Sequence, residues 1–313
     1  MNAQALEIFA GIAGVLLIAS MVGVILRHSI ARGEPHPVID NLNARLRSWW
    51  VMLLIVVAAF AIGETGVTAL FGFVSFIALR EFLRIVDPTP DVPPVPTAAL
   101  IAIVAAQYAL VYLGVSVVVS CCLPAFLLPT LLMVTSASSA LDARRWWRRV
   151  AILQAGVMIC VFCISHVAAL LTVHIPGYED RSLTLVLFLL VVVQSSDVLQ
   201  YVFGRLLGRR KVAPRISPSK TWAGVIGGIA SATALGAVLA PITPFSTAQA
   251  AVLAFVVTSA GFCGGLALSA IKRARGAKDW GRLISGHGGV LDRVDSVVLA
   301  APVFFYATRL GWT

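Results

Sequence analysis

Apolar residues in this chain run in long blocks, separated by short stretches where the charged residues collect. A helix that crosses the hydrocarbon core of a bilayer needs about 20 mostly apolar residues, within a usual range of roughly 17–25. Ten stretches are candidates, near 5–26, 49–63, 66–80, 97–114, 115–134, 150–173, 182–203, 221–241, 247–268 and 296–311. The pattern predicts an all-α polytopic integral membrane protein with about ten transmembrane helices. The second and third stretches are short and meet at Gly63-Glu64-Thr65-Gly66, which reads either as a tight helical hairpin or as one broken element. Segment 31–48, punctuated by Pro35 and Pro37 and carrying Arg45 and Arg47, reads as interfacial. Segment 87–94 is proline-rich and reads as a stiff extended connector, because proline lacks the donor a helix needs. No internal repeat points to an inverted-repeat transporter.

Composition sharpens this picture. The 313 residues would suffice for two soluble domains, but 59% are hydrophobic and only 12% charged. An ordinary globular protein is about half apolar and a quarter charged. A soluble fold of this size has too little interior to hide so much apolar surface. The charges that remain are mostly basic, 24 Lys/Arg against 14 Asp/Glu, for a net charge of +10.

Their placement supplies orientation, since cytoplasmic loops carry the Lys/Arg excess. Ten spans with the N-terminus outside put stretches 27–48, 80–96, 135–149, 204–220 and 269–295 inside, and these hold 22 of the 24 Lys/Arg. Arg144-Arg145-Trp146-Trp147-Arg148-Arg149 is then accounted for as a positive-inside signal with interfacial tryptophans. The first apolar stretch lacks a basic leader and exceeds a signal-peptide core of about 7–15 residues, so it is expected to be a retained span. Cys121, Cys122, Cys160, Cys163 and Cys263 all fall in candidate spans, and Cys160-x-x-Cys163 has no second ligand pair beside it. They read as packing residues.

Polarity concentrates in the C-terminal part, and polar groups at membrane depth are costly and usually functional. Gln194-Ser195-Ser196-Asp197 is followed by Gln200-Tyr201 and Gly204-Arg205. Asp197 must face a partner or a wet cavity; an ion pair with Arg205 is one option. The loop from Gly208 to Gly224 is basic and ends in Ser217-Pro218-Ser219-Lys220-Thr221 at the start of a Gly-rich helix. Hydroxyls and a lysine at a helix N-terminus suit an anionic group. The densest cluster runs from Ser269 to Asp295, with six Lys/Arg, a Gly286-His287-Gly288-Gly289 turn and Asp292-Arg293-Val294-Asp295. Cations bind phosphates and carboxylates bind a hard divalent ion, which together are the parts of phosphoryl or nucleotidyl transfer. Asp292 and Asp295 share one face if the last helix begins there. A solvated loop whose acids cap a helix is the simpler alternative. There is no P-loop and no Gly-x-Gly-x-x-Gly.

The run from Ser269 to Asp295 resembles the signature of phosphatidate cytidylyltransferases (CDP-diacylglycerol synthases): Ser269, Lys272-Arg273, Lys278-Asp279, the Gly-His-Gly-Gly turn and Asp292-Arg293-Val294-Asp295 all match. Ala213 to Trp222 is similar to a second landmark of that family, and Asp197 with Tyr201 resembles its aspartate-containing span. The resemblance covers about 190–311. It implies transfer of the cytidylyl group of CTP to phosphatidic acid or a similar lipid phosphate, with Mg²⁺ as cofactor and pyrophosphate as second product. It implies Asp292, Asp295, Lys220 and Lys272 as catalytic groups, with Asp292 and Asp295 at the metal and Asp197 or Asp279 as further candidate ligands. Arg273, Lys278 and Arg293 would join the lysines in binding phosphates, Ser217, Thr221 and Ser269 would be polar contacts, and His287 would position.

Gly265, Leu268 and Ala223 stand where the family usually keeps carboxylates. The chain thus divides into an N-terminal transmembrane region, 1–180, of unassigned role and a C-terminal catalytic region, 181–313. The expected setting is the bacterial inner membrane with a cytoplasmic site, anionic lipid and CTP as partners, no nucleic acid, and a homodimer. A catalytically impaired relative that binds nucleotide or anionic lipid is the alternative, and a transporter of anionic solutes is a third, disfavoured because the polar residues cluster at one end of the spans.

Overall fold

The computed structural model describes residues 3–29, 36–87, 95–115, 143–179, 181–283 and 288–312. The chain enters through three long helices, α1 (Ala3–Ser29), α2 (Pro37–Ile62) and α3 (Glu64–Val86), followed by α4 (Thr97–Tyr112). Helix α5 (Ala143–Val157) continues through a π-turn at Met158–Phe162 into α6 (Cys163–Ala169). The C-terminal region holds α7 (Ser182–Leu206), β1 (Lys211–Ala213), β2 (Ser217–Thr221), α8 (Trp222–Val238), α9 (Thr247–Ala274) and α10 (Leu291–Trp312).

Among the described residues, six helical stretches are long and apolar enough to cross a membrane. They are Gln4–Ser29, Leu42–Ile62, Trp146–Thr172, Ser182–Leu206, Thr247–Ala274 and Leu291–Gly311, while Thr97–Tyr112 and Trp222–Val238 are apolar but shorter. The stretch at 66–80 lies in α3, and the candidate at 115–134 falls outside the described residues, as do Cys121, Cys122 and most of the 87–94 connector. Of the ten candidate stretches, six correspond to these helices, two to the shorter apolar helices, one to α3, and one lies outside the described residues. Cys160, Cys163 and Cys263 lie on helical segments and form no disulfide among the described residues.

Three local features differ from the sequence pattern or decide it. Gly63, at φ 97°, separates α2 from α3, a backbone conformation glycine adopts without a Cβ penalty. The 49–80 block is thus a hairpin of two helices. Residues 37–48, expected to be interfacial, are the first turns of α2: Pro37 sits where its missing N–H costs nothing, and Asp40 accepts a bond from the His36 amide at 2.9 Å. Finally, the fold is not wholly helical. Strands β1 and β2 pair antiparallel, Lys211 opposite Thr221 and Ala213 opposite Ser217, in the basic loop between α7 and α8.

Without a hydrophobic drive between helices in lipid, small residues at crossings let backbones approach. Helix α8 meets α7 through Gly224 and Gly228, where any Cβ would strike Gln200. Helix α9 meets α10 through Gly261 and Gly264, where a Cβ would lie 3.1 Å from the carbonyls of Ser296 and Asp295. Phe188, Phe245 and Phe304 interlock behind these crossings. Large apolar side chains such as Ile18, Met21, Leu54 and Phe255 remain exposed on the outer helix surfaces, as expected where the surrounding solvent is lipid.

Contacts between the basic stretches show that they share one end of the bundle. Arg149 pairs with Asp87 at 3.2 Å. Glu81 accepts from the amides of Val290 and Leu291. Arg273 donates to the Ile216 carbonyl at 3.3 Å. Four of the five Lys/Arg-rich stretches, 80–96, 135–149, 204–220 and 269–295, are thereby joined to one another.

Candidate functional site

The C-terminal ends of α7 and α9 and the N-terminal ends of α8 and α10 converge at this shared end. Ser246 and Gln249 form a capping box that starts α9; at its far end this 28-residue helix delivers Lys272 and Arg273 in its last turn, where cations favour the helix dipole. Thr221 caps α8, its hydroxyl accepting from the Gly224 amide at 3.2 Å, and is buried against Gly204 and Gly208. Its position explains why Ser-Lys-Thr stands at a helix start: Thr221 holds the helix end and leaves the preceding Lys220 free to reach inward.

Lys220 Nζ lies 3.9 Å from Asp197 Oδ1, 3.4 Å from Gln200 Oε1 and 4.9 Å from the centre of the Phe262 ring. Asp197 therefore pairs with Lys220, where an ion pair with Arg205 was the simpler expectation. A Cβ built on Gly265 would lie 3.7 Å from both Lys220 Nζ and Asp295 Oδ2. Asp295 Oδ1 accepts from the Ser296 amide, and its carboxylate interacts electrostatically with Asp197, Lys220, Lys272 and Asp292. Gly265 thus opens a gap between a lysine and a carboxylate.

Asp292 is differently placed. Its Oδ1 pairs with Lys272 at 2.5 Å, and its Oδ2 accepts from the amides of Trp280 and Gly289 at 2.7 and 2.9 Å. Lys272 is buried, with its ammonium 5.9 Å from the Trp280 ring centre. Asp292 and Asp295 share the first turns of α10, which starts at Leu291, so the expected common face is present. Asp279 is exposed and stands beside Asp292 across Gly288, whose Cβ would lie 3.2 Å from that of Asp279.

The remaining candidates spread outward. Arg273 and Lys278 are exposed, and Arg273 ties the 269–295 loop to the β-hairpin. Ser217 and Ser269 are half-buried, and Ser269 follows Gly265 by one helical turn on the face that leads to Lys272. The Arg293 carbonyl accepts from Gln194 Nε2 at 3.2 Å, and its guanidinium interacts electrostatically with Asp295, Asp292 and Asp197. His287 lies outside the described residues.

Glu81 was not foreseen. It sits in α3, buried at 6% exposure, and receives Val290 N at 3.0 Å and Leu291 N at 2.8 Å. The next residue, Phe82, stacks on Trp280 at 5.5 Å between centroids. The available signal was an acid at the basic end of an apolar stretch, Arg80-Glu81-x-x-Arg84, which by the charge rule places it on the same side as the C-terminal cations.

As a test of fit for a divalent ion, no group of three or more His, Cys, Asp and Glu is poised for a metal among the described residues. The available set is Asp295 and Asp197 around Lys220, with Asp292 nearby. Magnesium is usually held by one or two carboxylates together with substrate phosphates and water. The residues present fit that minimal mode and do not form an all-protein cage.

The cations and carboxylates named above gather at one end of the helical bundle. The model of the cytidylyltransferase family matches residues 43–310, and the chain belongs to that family. An uncharacterized Escherichia coli K12 protein, YnbB, is 33% identical over 278 residues, covering 86% of this chain and 88% of that protein. A phosphatidate cytidylyltransferase of Brucella abortus is 47% identical over 130 residues, 41% of this chain and 48% of the relative. A phosphatidate cytidylyltransferase of Haemophilus influenzae is 38% identical over 157 residues, 46% and 53% respectively. The chain spans about half the length of these named cytidylyltransferases.

Proposed function

We propose that the protein transfers the cytidylyl group of CTP to phosphatidic acid or a similar lipid phosphate at the cytoplasmic end of the bundle. The observation that carries this reading is the meeting of Lys220, Asp197, Asp295 and Gly265 beside the Lys272–Asp292 pair. The named relatives support the substrate pair, and the 22 clustered Lys/Arg support the cytoplasmic side.

In the reaction, an oxygen of the lipid phosphate forms a bond to the α-phosphorus of CTP as the α–β anhydride bond breaks. Pyrophosphate leaves with the electron pair. A phosphate monoester is already ionised near neutral pH, so no strong base is required. Lys220, on a capped helix start, orients a phosphate between Asp197 and Asp295. Arg273, Lys278 and Arg293 offset charge on the triphosphate, which is the larger share of catalysis when charge shifts between phosphate oxygens. Asp295 and Asp197 would hold Mg²⁺, which would supply charge neutralisation at the phosphates. Asp292 holds the buried Lys272 ammonium in place.

Gly265 favours a second reading, binding of nucleotide or anionic lipid without turnover, because the gap stands where the family keeps a carboxylate. Pyrophosphate release by the purified protein from CTP plus phosphatidic acid, across a Mg²⁺ series, separates the two. Turnover that Asp295→Asn abolishes supports transfer. CTP binding without release, with release appearing in Gly265→Asp, supports the second reading.

A further inference from the structure

We infer that Glu81, on a helix of the N-terminal region, is a positioning residue for the C-terminal site, so that the two regions form one functional unit. The inference rests on the cytidylyl-transfer reading above.

Two carboxylates from distant parts of the sequence clasp one loop. Glu81 takes the amides of Val290 and Leu291, while Asp292 takes those of Trp280 and Gly289. Val290 and Leu291 open α10, where free N–H groups and the helix dipole attract an anion. Glu81 fills that position, so a substrate phosphate is directed to the lysines and arginines instead. The loop is shaped around the carboxylate: a Cβ on Gly281 or Gly289 would strike the Glu81 oxygens. Trp280 closes the arrangement, stacked on Phe82 on one side and approached by Lys272 on the other. Through these contacts α3 sets the height and rotation of the first turn of α10, which carries Asp292, Arg293 and Asp295. Glu81 itself need not touch substrate. It fixes the groups that do, and small displacements of such groups cost rate more than binding.

The test compares wild type with Glu81→Gln in the full-length protein, and uses Glu64→Gln as control. Glu64 lies at the opposite end of α3, bonded to Ser182 at 2.7 Å. Glutamine preserves the shape but turns an N–H₂ toward one of two backbone donors. With CTP and phosphatidic acid, kcat of Glu81→Gln should fall about 10- to 100-fold while KM for CTP moves less than about threefold. Its melting temperature should stay near that of wild type, and hydrogen exchange at Val290 and Leu291 should accelerate. Glu64→Gln should keep its kcat. A folded Glu81→Gln with full kcat overturns the inference, as does unchanged exchange at both amides. Wild-type inactivity overturns the transfer reading instead; CTP must then slow exchange of the 288–291 amides in wild type and not in Glu81→Gln, and equal protection in both overturns the inference.

Discussion

Replacing Gly265 by aspartate tests the geometry at the centre of the site. The new Cβ would stand 3.7 Å from Asp295 Oδ2 and 3.7 Å from Lys220 Nζ, ordinary contact distances that require no backbone movement. Helix propensity favours the change slightly, by a few tenths of a kcal/mol. The electrostatic effect is larger. Two unit charges about 4 Å apart interact by about 4 kcal/mol at an effective dielectric of 20. Without metal, the added carboxylate meets one like charge, Asp295, and one unlike charge, Lys220, at equal reach, and Asp197 leaves the balance slightly unfavourable. With a divalent ion between the carboxylates the balance becomes favourable. Discounting the Coulomb figure by half for hydration leaves about 2 kcal/mol, or roughly 30-fold tighter Mg²⁺ binding. Thermal unfolding and pyrophosphate release, each titrated with Mg²⁺, report this. Gly265→Asp should melt below wild type in chelator and gain on it as Mg²⁺ rises, by about 2 kcal/mol at one Mg²⁺ concentration well above both dissociation constants. A well-folded variant whose Mg²⁺ midpoints match wild type within twofold would refute the argument, because Asp295 and position 265 would then not share a metal.

Other outcomes follow from single contacts. Asp292→Asn leaves Lys272 buried without its counter-charge and should destabilise by about 3–5 kcal/mol, whereas Asp295→Asn should abolish pyrophosphate release with stability kept or raised; calorimetry beside the activity assay distinguishes them. Thr221→Val removes the cap of α8 and should cost about 1 kcal/mol, read as a lower melting temperature. Gly289→Ala drives a methyl group into Glu81 and the Gly281 amide, 2.6 Å away, and should cut turnover while CTP affinity changes little. Single cysteines at Arg209 and Thr247, at opposite ends of α8 and its neighbours, should label from the cytoplasmic and the outer face respectively in intact cells and inverted vesicles.

Much of this was legible without the fold. Apolar block length is a one-dimensional property, so the helical membrane architecture, the single basic end and the hairpin option at Gly63 could be read directly. The cluster from Ser269 to Asp295 was legible because its residues are neighbours in sequence, and chemistry packed into 27 residues needs no folding to be seen. The β-hairpin was not legible, since two strands of three and five residues leave no periodic trace. The start of a helix at Pro37 fits a residue that is tolerated in a first turn and suppressed in a helix interior.

What only tertiary structure decided is which charges meet. Sequence left Asp197 to pair with Arg205 or to face a cavity; the α7–α8 glycine crossing brings it to Lys220. Sequence ranked Asp292 and Asp295 together; the fold binds Asp292 to Lys272 and two amides and turns Asp295 toward Gly265. Glu81 joins residues 209 and 210 positions away. The physical reason is that composition and spacing determine which side of a membrane a charge occupies, whereas the partner of a buried charge is chosen by helix crossings, and those depend on small residues scattered through the whole chain.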